Sequence, residues 1–177
     1  MPAFLPAARS PRNRGSMLKK PVLYAIGFAL LLNLLGGLSA GISGPMAAGQ
    51  WYQDLQLPRL QPPGPVFGIA WTLLYGLLGV AFSRLWLAPA GKARTLAIRL
   101  FLLQFVLNLA WSPVFFGAKA ILSGLILIGG IFGVATIAAV AAGRVEKRAA
   151  WLMLPYLVWL GFAFMLNWRI LTLNPGA

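Results

Sequence analysis

Read for the succession of apolar and polar positions, the chain falls into five long apolar stretches, at about residues 21–45, 65–89, 97–117, 119–142 and 149–172. Each is long enough to cross about 30 Å of hydrocarbon at about 1.5 Å per residue. The runs are continuous and show no dyad alternation over about ten residues, so the pattern predicts helices rather than a membrane barrel. The expected fold is all-α: an integral, multi-pass bundle of five transmembrane helices over residues 21–172. It is preceded by a basic, disordered tail (1–20) and followed by a short C-terminal tail (173–177). The stretch after Lys20 is too long for the apolar segment of a signal peptide, which favours a retained first helix. The tract Met17-Leu18-Lys19-Lys20 resembles a second translation start.

The connections are unequal. Residues 90–96 (AGKARTL) and 143–148 (GRVEKR) read as short polar turns, and Gly117-Ala118-Lys119 as a tight hairpin. Residues 46–64 (MAAGQWYQDLQLPRLQPPG) are longer, rich in Gln and Pro, and cannot form one helix. A loop carrying Trp51, Tyr52, Leu55, Leu57 and Leu60 is expected to fold its apolar side chains back over the bundle mouth. Pro62-Pro63 stiffens its return into the second span. The alternative is an interfacial loop lying on lipid headgroups.

Composition agrees with a bilayer as solvent. Of 177 residues, 60% are hydrophobic and 10% charged, against ~45–50% and ~25% in soluble domains. Too few charged side chains remain to cover a water-facing surface, and disorder is excluded for the same reason. The net charge is +13, and its placement is asymmetric. Arg9, Arg12, Arg14, Lys19 and Lys20 precede the first span. Arg84, Lys92, Arg94 and Arg99 flank one polar turn, and Arg144, Lys147 and Arg148 occupy another. Only Arg59, Lys119 and Arg169 fall on the opposite side. This distribution suits an anionic membrane surface and no nucleic-acid partner. In an inner or plasma membrane it predicts a cytoplasmic N-terminus and an external 46–64 loop.

The absences limit the chemistry. The chain has no Cys and no His. Disulfides, thiol nucleophiles, His-based proton transfer and the common Cys/His metal sites are excluded, and no metal site is expected. Asp54 and Glu146 are the only carboxylate side chains, so a carboxylate dyad is not expected either. What remains is aromatic rings, amides, hydroxyls and backbone.

Those groups fall at helical spacing. Phe67, Trp71 and Tyr75 recur every four residues in the second span. Asn108, Trp111, Ser112 and Phe115 share a face of the third, and Trp159, Ala163 and Asn167 a face of the fifth. For any single Trp, bundle packing or interfacial anchoring also accounts for the position, as at Trp86 and Trp151. Asn is costly in hydrocarbon and faces a bundle interior. Asn108 reads equally as interhelical glue or as a group that orients a ligand. Gly37/Gly41 and Gly129/Gly133 form GxxxG pairs that serve close packing, either within the bundle or at a dimer face. Pro113 and Pro155 are expected to kink their spans and free backbone carbonyls.

These residues, in order, resemble the TspO/MBR family, the translocator or peripheral benzodiazepine receptor-like proteins. The resemblance is carried by Trp51-Tyr52, Leu57-Pro58 with Pro62-Pro63, Val66-Phe67 and Ala70-Trp71-Thr72-Leu73-Leu74-Tyr75. It continues through Asn108-Leu109-Ala110-Trp111-Ser112-Pro113-Val114-Phe115-Phe116-Gly117 and Pro155-Tyr156-Leu157-Val158-Trp159 with Asn167. It covers about residues 21–172. It implies a five-helix bundle, often a homodimer, in outer or other membranes, with no cofactor. It also implies a pocket under the first loop for porphyrins such as protoporphyrin IX and for drug-like apolar ligands. The implied lining is Trp51, Tyr52, Pro62, Phe67, Trp71, Asn108, Trp111, Phe115, Trp159 and Ala163.

The chain departs from the family pattern in the loop. Leu57 and Leu60 stand where Lys and Trp are usual, and Arg59 supplies a cation suited to a porphyrin propionate. No Lys or Arg follows Tyr156 within six residues, so the sterol-recognition pattern is absent there. Three functions follow from the resemblance: a tetrapyrrole sensor or regulator, an enzyme for light- and oxygen-dependent porphyrin breakdown acting through Trp71 and Trp159, and a porphyrin transporter. With neither His nor Cys to serve as axial ligand, the expected porphyrin is metal-free. The spans hold no mid-span charge of the kind coupled carriers use.

Overall fold

The computed structural model describes residues 14–43 and 49–176, with side chains from Lys20 onward. Among these residues, six α-helices run α1 (Arg14–Ile42), α2 (Gln50–Asp54), α3 (Gly64–Leu87), α4 (Lys92–Ser112), α5 (Ile121–Gly143) and α6 (Lys147–Leu173). All but α2 are long and apolar enough to span a membrane. The all-α, five-span reading holds. The tail expected over 1–20 lies outside the described residues as far as residue 13; from Arg14 the backbone is helical.

The turns are shorter than the polar runs suggested. The run at 90–96 was expected to be a turn, but α4 already begins at Lys92. Lys, Arg, Ala and Leu are good helix formers, and the first turn of a spanning helix tolerates charge outside the hydrocarbon. Arg94 then reaches back to the end of α3. Its Nε donates to the Leu85 carbonyl at 3.1 Å and its Nη2 to the Trp86 carbonyl at 2.6 Å, with the guanidinium 5.8 Å from the Trp86 ring centre. Carbonyls left unpaired at a helix C-terminus are thereby satisfied by a cation. At the other basic turn, the Glu146 carboxylate accepts from the Arg148 amide at 3.1 Å and caps α6. Between α4 and α5, Lys119 takes a φ of 54°, which closes the hairpin.

Helix α3 packs on α1 and α6, while α5 packs on α4 and α6, so the spans close in the order α1–α3–α6–α5–α4. The closest approaches use glycines other than the GxxxG pairs. A Cβ at Gly79 would run into the backbone of Ala29, and one at Gly36 into the Tyr75 ring. At Gly124 it would meet Phe115 at 2.8 Å. Gly37, Gly41 and Gly133 face open space instead, and Gly129 lies 3.3 Å from Phe164 by the same measure.

The α1–α4 seam is thinner and is closed by a proline effect. Pro113 has no N–H to offer the carbonyl four residues back, so the Leu109 carbonyl is free. Ser39 Oγ of α1 donates to it at 2.5 Å. The chain widens into a π-helical turn over Pro113–Gly117, where the Ala118 amide reaches the Pro113 carbonyl at 2.9 Å. The kink expected at Pro113 takes this form. Pro155 lies within α6 without ending it.

The bundle is solid at one end and hollow at the other. Toward the basic turns, Leu78, Ala81, Leu85, Ala97, Phe101, Ala142, Ala149 and Met153 are all fully buried. Toward the 49–63 loop, Phe67, Trp71, Trp111 and Trp159 are half-buried around a void.

Candidate ligand cavity

The void has a volume of about 800 Å³ and is walled by α1, α3, α4, the π turn, α5 and α6, with the loop above. All three stripes read from helical spacing face it: Phe67, Trp71 and Tyr75; Asn108, Trp111, Ser112 and Phe115; and Trp159, Ala163 and Asn167. From the loop, Tyr52, Gln61 and Pro62 line it. The periodicity of 3.6 brings each stripe to one side of its helix, and the packing order turns those sides toward a common centre.

The rings prop one another open. Trp71 and Trp159 meet with centroids 6.3 Å apart at 82°, and Phe67 meets Trp159 at 5.8 Å and 77°. Trp71 also contacts Tyr75 at 5.2 Å and Tyr156 at 6.3 Å. Across the cavity, Trp111 stacks on Phe115 at 4.9 Å and 15°, and its indole N–H donates to the Gly124 carbonyl at 3.1 Å. Edge-to-face and offset geometries of this kind fix ring orientation beyond simple burial.

The polar atoms divide into engaged and unengaged. Tyr75 donates its hydroxyl proton to Asn108 Oδ1 at 2.7 Å, so this part of the Asn108 amide serves as interhelical glue. Tyr156 lies beside the same amide without closing a hydrogen bond. One turn deeper, Gln104 is fully buried with both amide atoms unpartnered. On the wall itself, Trp159 Nε1, Asn167 Oδ1 and Gln61 Oε1 are buried without partners among the described residues. None of the residues lining the cavity carries a formal charge. Among the described residues, no group of three His, Cys, Asp or Glu exists to hold a metal ion.

The loop is a seated lid rather than a free segment. Leu55 is buried against Phe115, Ile121 and Ile170. Its neighbour Gln56 donates its amide to Asn174 Oδ1 at 2.9 Å and accepts at its carbonyl from Asn174 Nδ2 at 3.0 Å. Asn174 just beyond α6 thus ties the lid to the end of the last span. Gln61 Nε2 donates to the Tyr52 hydroxyl at 2.7 Å. Burial raises the Tyr52 hydroxyl above its ordinary value of 10, against a smaller lowering by the Gln61 bond, so it remains protonated at neutral pH.

Two expected lining residues are placed elsewhere. Trp51 packs edge-to-face on Phe115 at 5.9 Å and clamps the short helix α2 to the bundle from outside the cavity wall. The reason is local: α2 is a single turn and a half, so Trp51 and Tyr52 point to different sides, and Tyr52 takes the cavity side. Arg59 is exposed on the loop and is not part of the wall. Conversely, Asn167 and Gln61 line the wall although neither was singled out as a ligand contact. Asn167 already lay on the α6 stripe, whereas nothing in the sequence marked Gln61 apart from its neighbours.

Comparison with known proteins bears on this cavity. Residues 25–173 match the model of the TspO/MBR family. The chain is 36% identical over 144 residues to "Tryptophan-rich protein TspO" of Chlorobaculum tepidum, which spans 78% of this chain and 90% of that protein. It is 37% identical over 155 residues to "Translocator protein" of Bos taurus, spanning 85% and 89% respectively. It is also 33% identical over 151 residues to "Tryptophan-rich sensory protein" of Cereibacter sphaeroides, spanning 83% and 92%.

Proposed function

The chain belongs to the TspO/MBR family of integral, multi-pass membrane proteins, and on that premise we propose that it binds a metal-free porphyrin of the protoporphyrin IX type in the cavity beneath its loop. In this reading it acts as a membrane sensor or regulator of porphyrin metabolism or stress. The observation that carries the reading is a void of about 800 Å³ whose wall combines Trp71, Trp159, Trp111 and Phe67 with no formal charge. Such a wall stacks on a flat apolar macrocycle and lowers its exposure to water. Ionised propionates gain nothing from an uncharged interior, so they stay at the mouth, where Arg59 is exposed on the loop. The chain holds neither His nor Cys for an axial bond, which favours the metal-free macrocycle over haem. Names of relatives such as "Tryptophan-rich sensory protein" are consistent with a sensing role.

The test is quenching of tryptophan fluorescence by protoporphyrin IX in purified protein. Saturable quenching, weakened at least tenfold by Trp71→Ala, is expected. Linear, non-saturable quenching equal to that of empty detergent rejects the reading.

A second reading is favoured by one feature. Phe67, Trp159, Trp71 and Tyr156 form a continuous series of ring contacts of 5.8 to 6.3 Å along the wall. Oxidisable indoles in contact with a photoexcited porphyrin, with dioxygen as oxidant, would support light-dependent porphyrin breakdown through Trp71 and Trp159. Illumination in air gives the check: porphyrin absorbance is lost faster with wild type than with Trp159→Phe, at equal porphyrin occupancy. Equal rates in both remove Trp159 from any such chemistry.

A further inference from the structure

The α6 wall of the cavity carries a polar group that no contact among the described residues explains. Asn167 is 2% exposed, and its Nδ2 donates to the Ile121 carbonyl at 3.1 Å. That bond settles which end of the amide is which, because a carbonyl accepts only from the nitrogen. The remaining atom, Oδ1, has no partner although it is buried in a residue of the cavity wall. A buried acceptor left without a donor costs about 1–3 kcal/mol. Two turns earlier on the same face, the indole N–H of Trp159 is likewise buried and unpartnered. Between them Ala163 contributes a single methyl group to the wall. Eight residues of helix, a rise of about 12 Å along the axis, separate the two α-carbons.

We propose that Asn167 Oδ1 is a ligand-recognition group that selects molecules presenting an uncharged hydrogen-bond donor, an amide N–H or a hydroxyl. Trp159 Nε1 takes the complementary role, donating to an oxygen elsewhere on the same molecule. This deepens the porphyrin-site reading and rests on it. A carboxylate has no proton to give and would set its charge against the Asn167 oxygen, so an ionised propionate is turned away from this wall toward the mouth. Replacing the acid by a neutral donor adds a bond here; replacing it by an ester does not.

The probes are two uncharged derivatives of one macrocycle, the bis-carboxamide and the dimethyl ester of protoporphyrin IX, titrated into the purified full chain. Wild type is expected to bind the carboxamide about tenfold more tightly than the ester. In Asn167→Leu the preference is expected to fall to within about twofold. The ratio within each protein is the readout, so a general loss of affinity from the missing Ile121 bond does not affect it. Equal binding by wild type overturns the assignment even if Asn167→Leu does not fold. A preference retained in folded Asn167→Leu overturns it as well. Failure of both derivatives to bind wild type that still binds protoporphyrin IX overturns this assignment alone; failure of protoporphyrin IX as well rejects the porphyrin reading itself.

Discussion

At the basic end of the bundle the helices touch, and at the loop end they are held apart, although the same five spans run through both. The closed end is built on alanine: Ala81, Ala97, Ala142 and Ala149 are fully buried and let backbones approach, while Leu78, Phe101 and Met153 fill what is left. At the open end the same helices carry Phe67, Trp71, Trp111 and Trp159, whose rings meet edge-to-face and leave the centre empty. Large apolar side chains are present at both ends. Side-chain size and ring geometry decide which end packs and which encloses space, because lipid tails give no hydrophobic reward for closing the gap.

The contrast can be broken most severely where α1 meets α3. Gly79→Val drives a side chain into the Ala29 backbone, and is expected to cost about 3 kcal/mol or more. Gel filtration should show loss of the monodisperse species. A paired substitution sharpens the comparison. Ala149→Leu at the closed end is expected to destabilise by about 1–3 kcal/mol through overpacking. Ala163→Leu at the open end has room for its new atoms, so its thermal unfolding should match wild type while protoporphyrin IX affinity falls about tenfold. Equal destabilisation by both would mean that the hollow end is not hollow.

Smaller effects test the fittings of the open end. Ser39→Ala leaves the Leu109 carbonyl beside Pro113 without its donor, for an expected loss of about 1 kcal/mol. Hydrogen exchange along α1 should rise in that variant. The smallest effect concerns Tyr52. Its hydroxyl is held protonated by burial, so the folded protein retains that proton at pH values where the unfolded chain has released it. Stability from this group is therefore present below about pH 10 and declines as pH rises through the raised value. An ultraviolet titration should place its midpoint above 10, and Tyr52→Phe should reduce the alkaline loss of stability.

Much of this arrangement could be read along the chain. The spans follow from unbroken apolar runs, and the stripes from a period that the structure then turned inward without exception. Other features depend on distances that no sequence states. The GxxxG pairs at Gly37/Gly41 and Gly129/Gly133 offered close packing within the bundle or at a dimer face, yet within the bundle the closest approaches fall at Gly36 and Gly79, because which glycine meets a neighbour depends on how α1 and α3 are rotated against each other. Lys92 and Arg94 looked like turn residues from polarity, yet they open α4. Trp51 and Tyr52 are adjacent and alike in character, and only the short helix α2 separates the clamp from the wall. Gln104 and Asn167 are ordinary amides until their unpartnered atoms are seen.

The uncharged wall of the cavity has an electrical consequence. A membrane potential of 100 mV does about 2.3 kcal/mol of work on each elementary charge carried across it. Movements of the rings and amides that surround this void transport no such charge, so rearranging them is indifferent to whether the bilayer is energised. The loop residue Arg59 sits outside that wall, at the aqueous boundary where little of the field drops. Occupancy of the cavity by a neutral guest should therefore read the supply of that guest and not the voltage of the membrane that houses it.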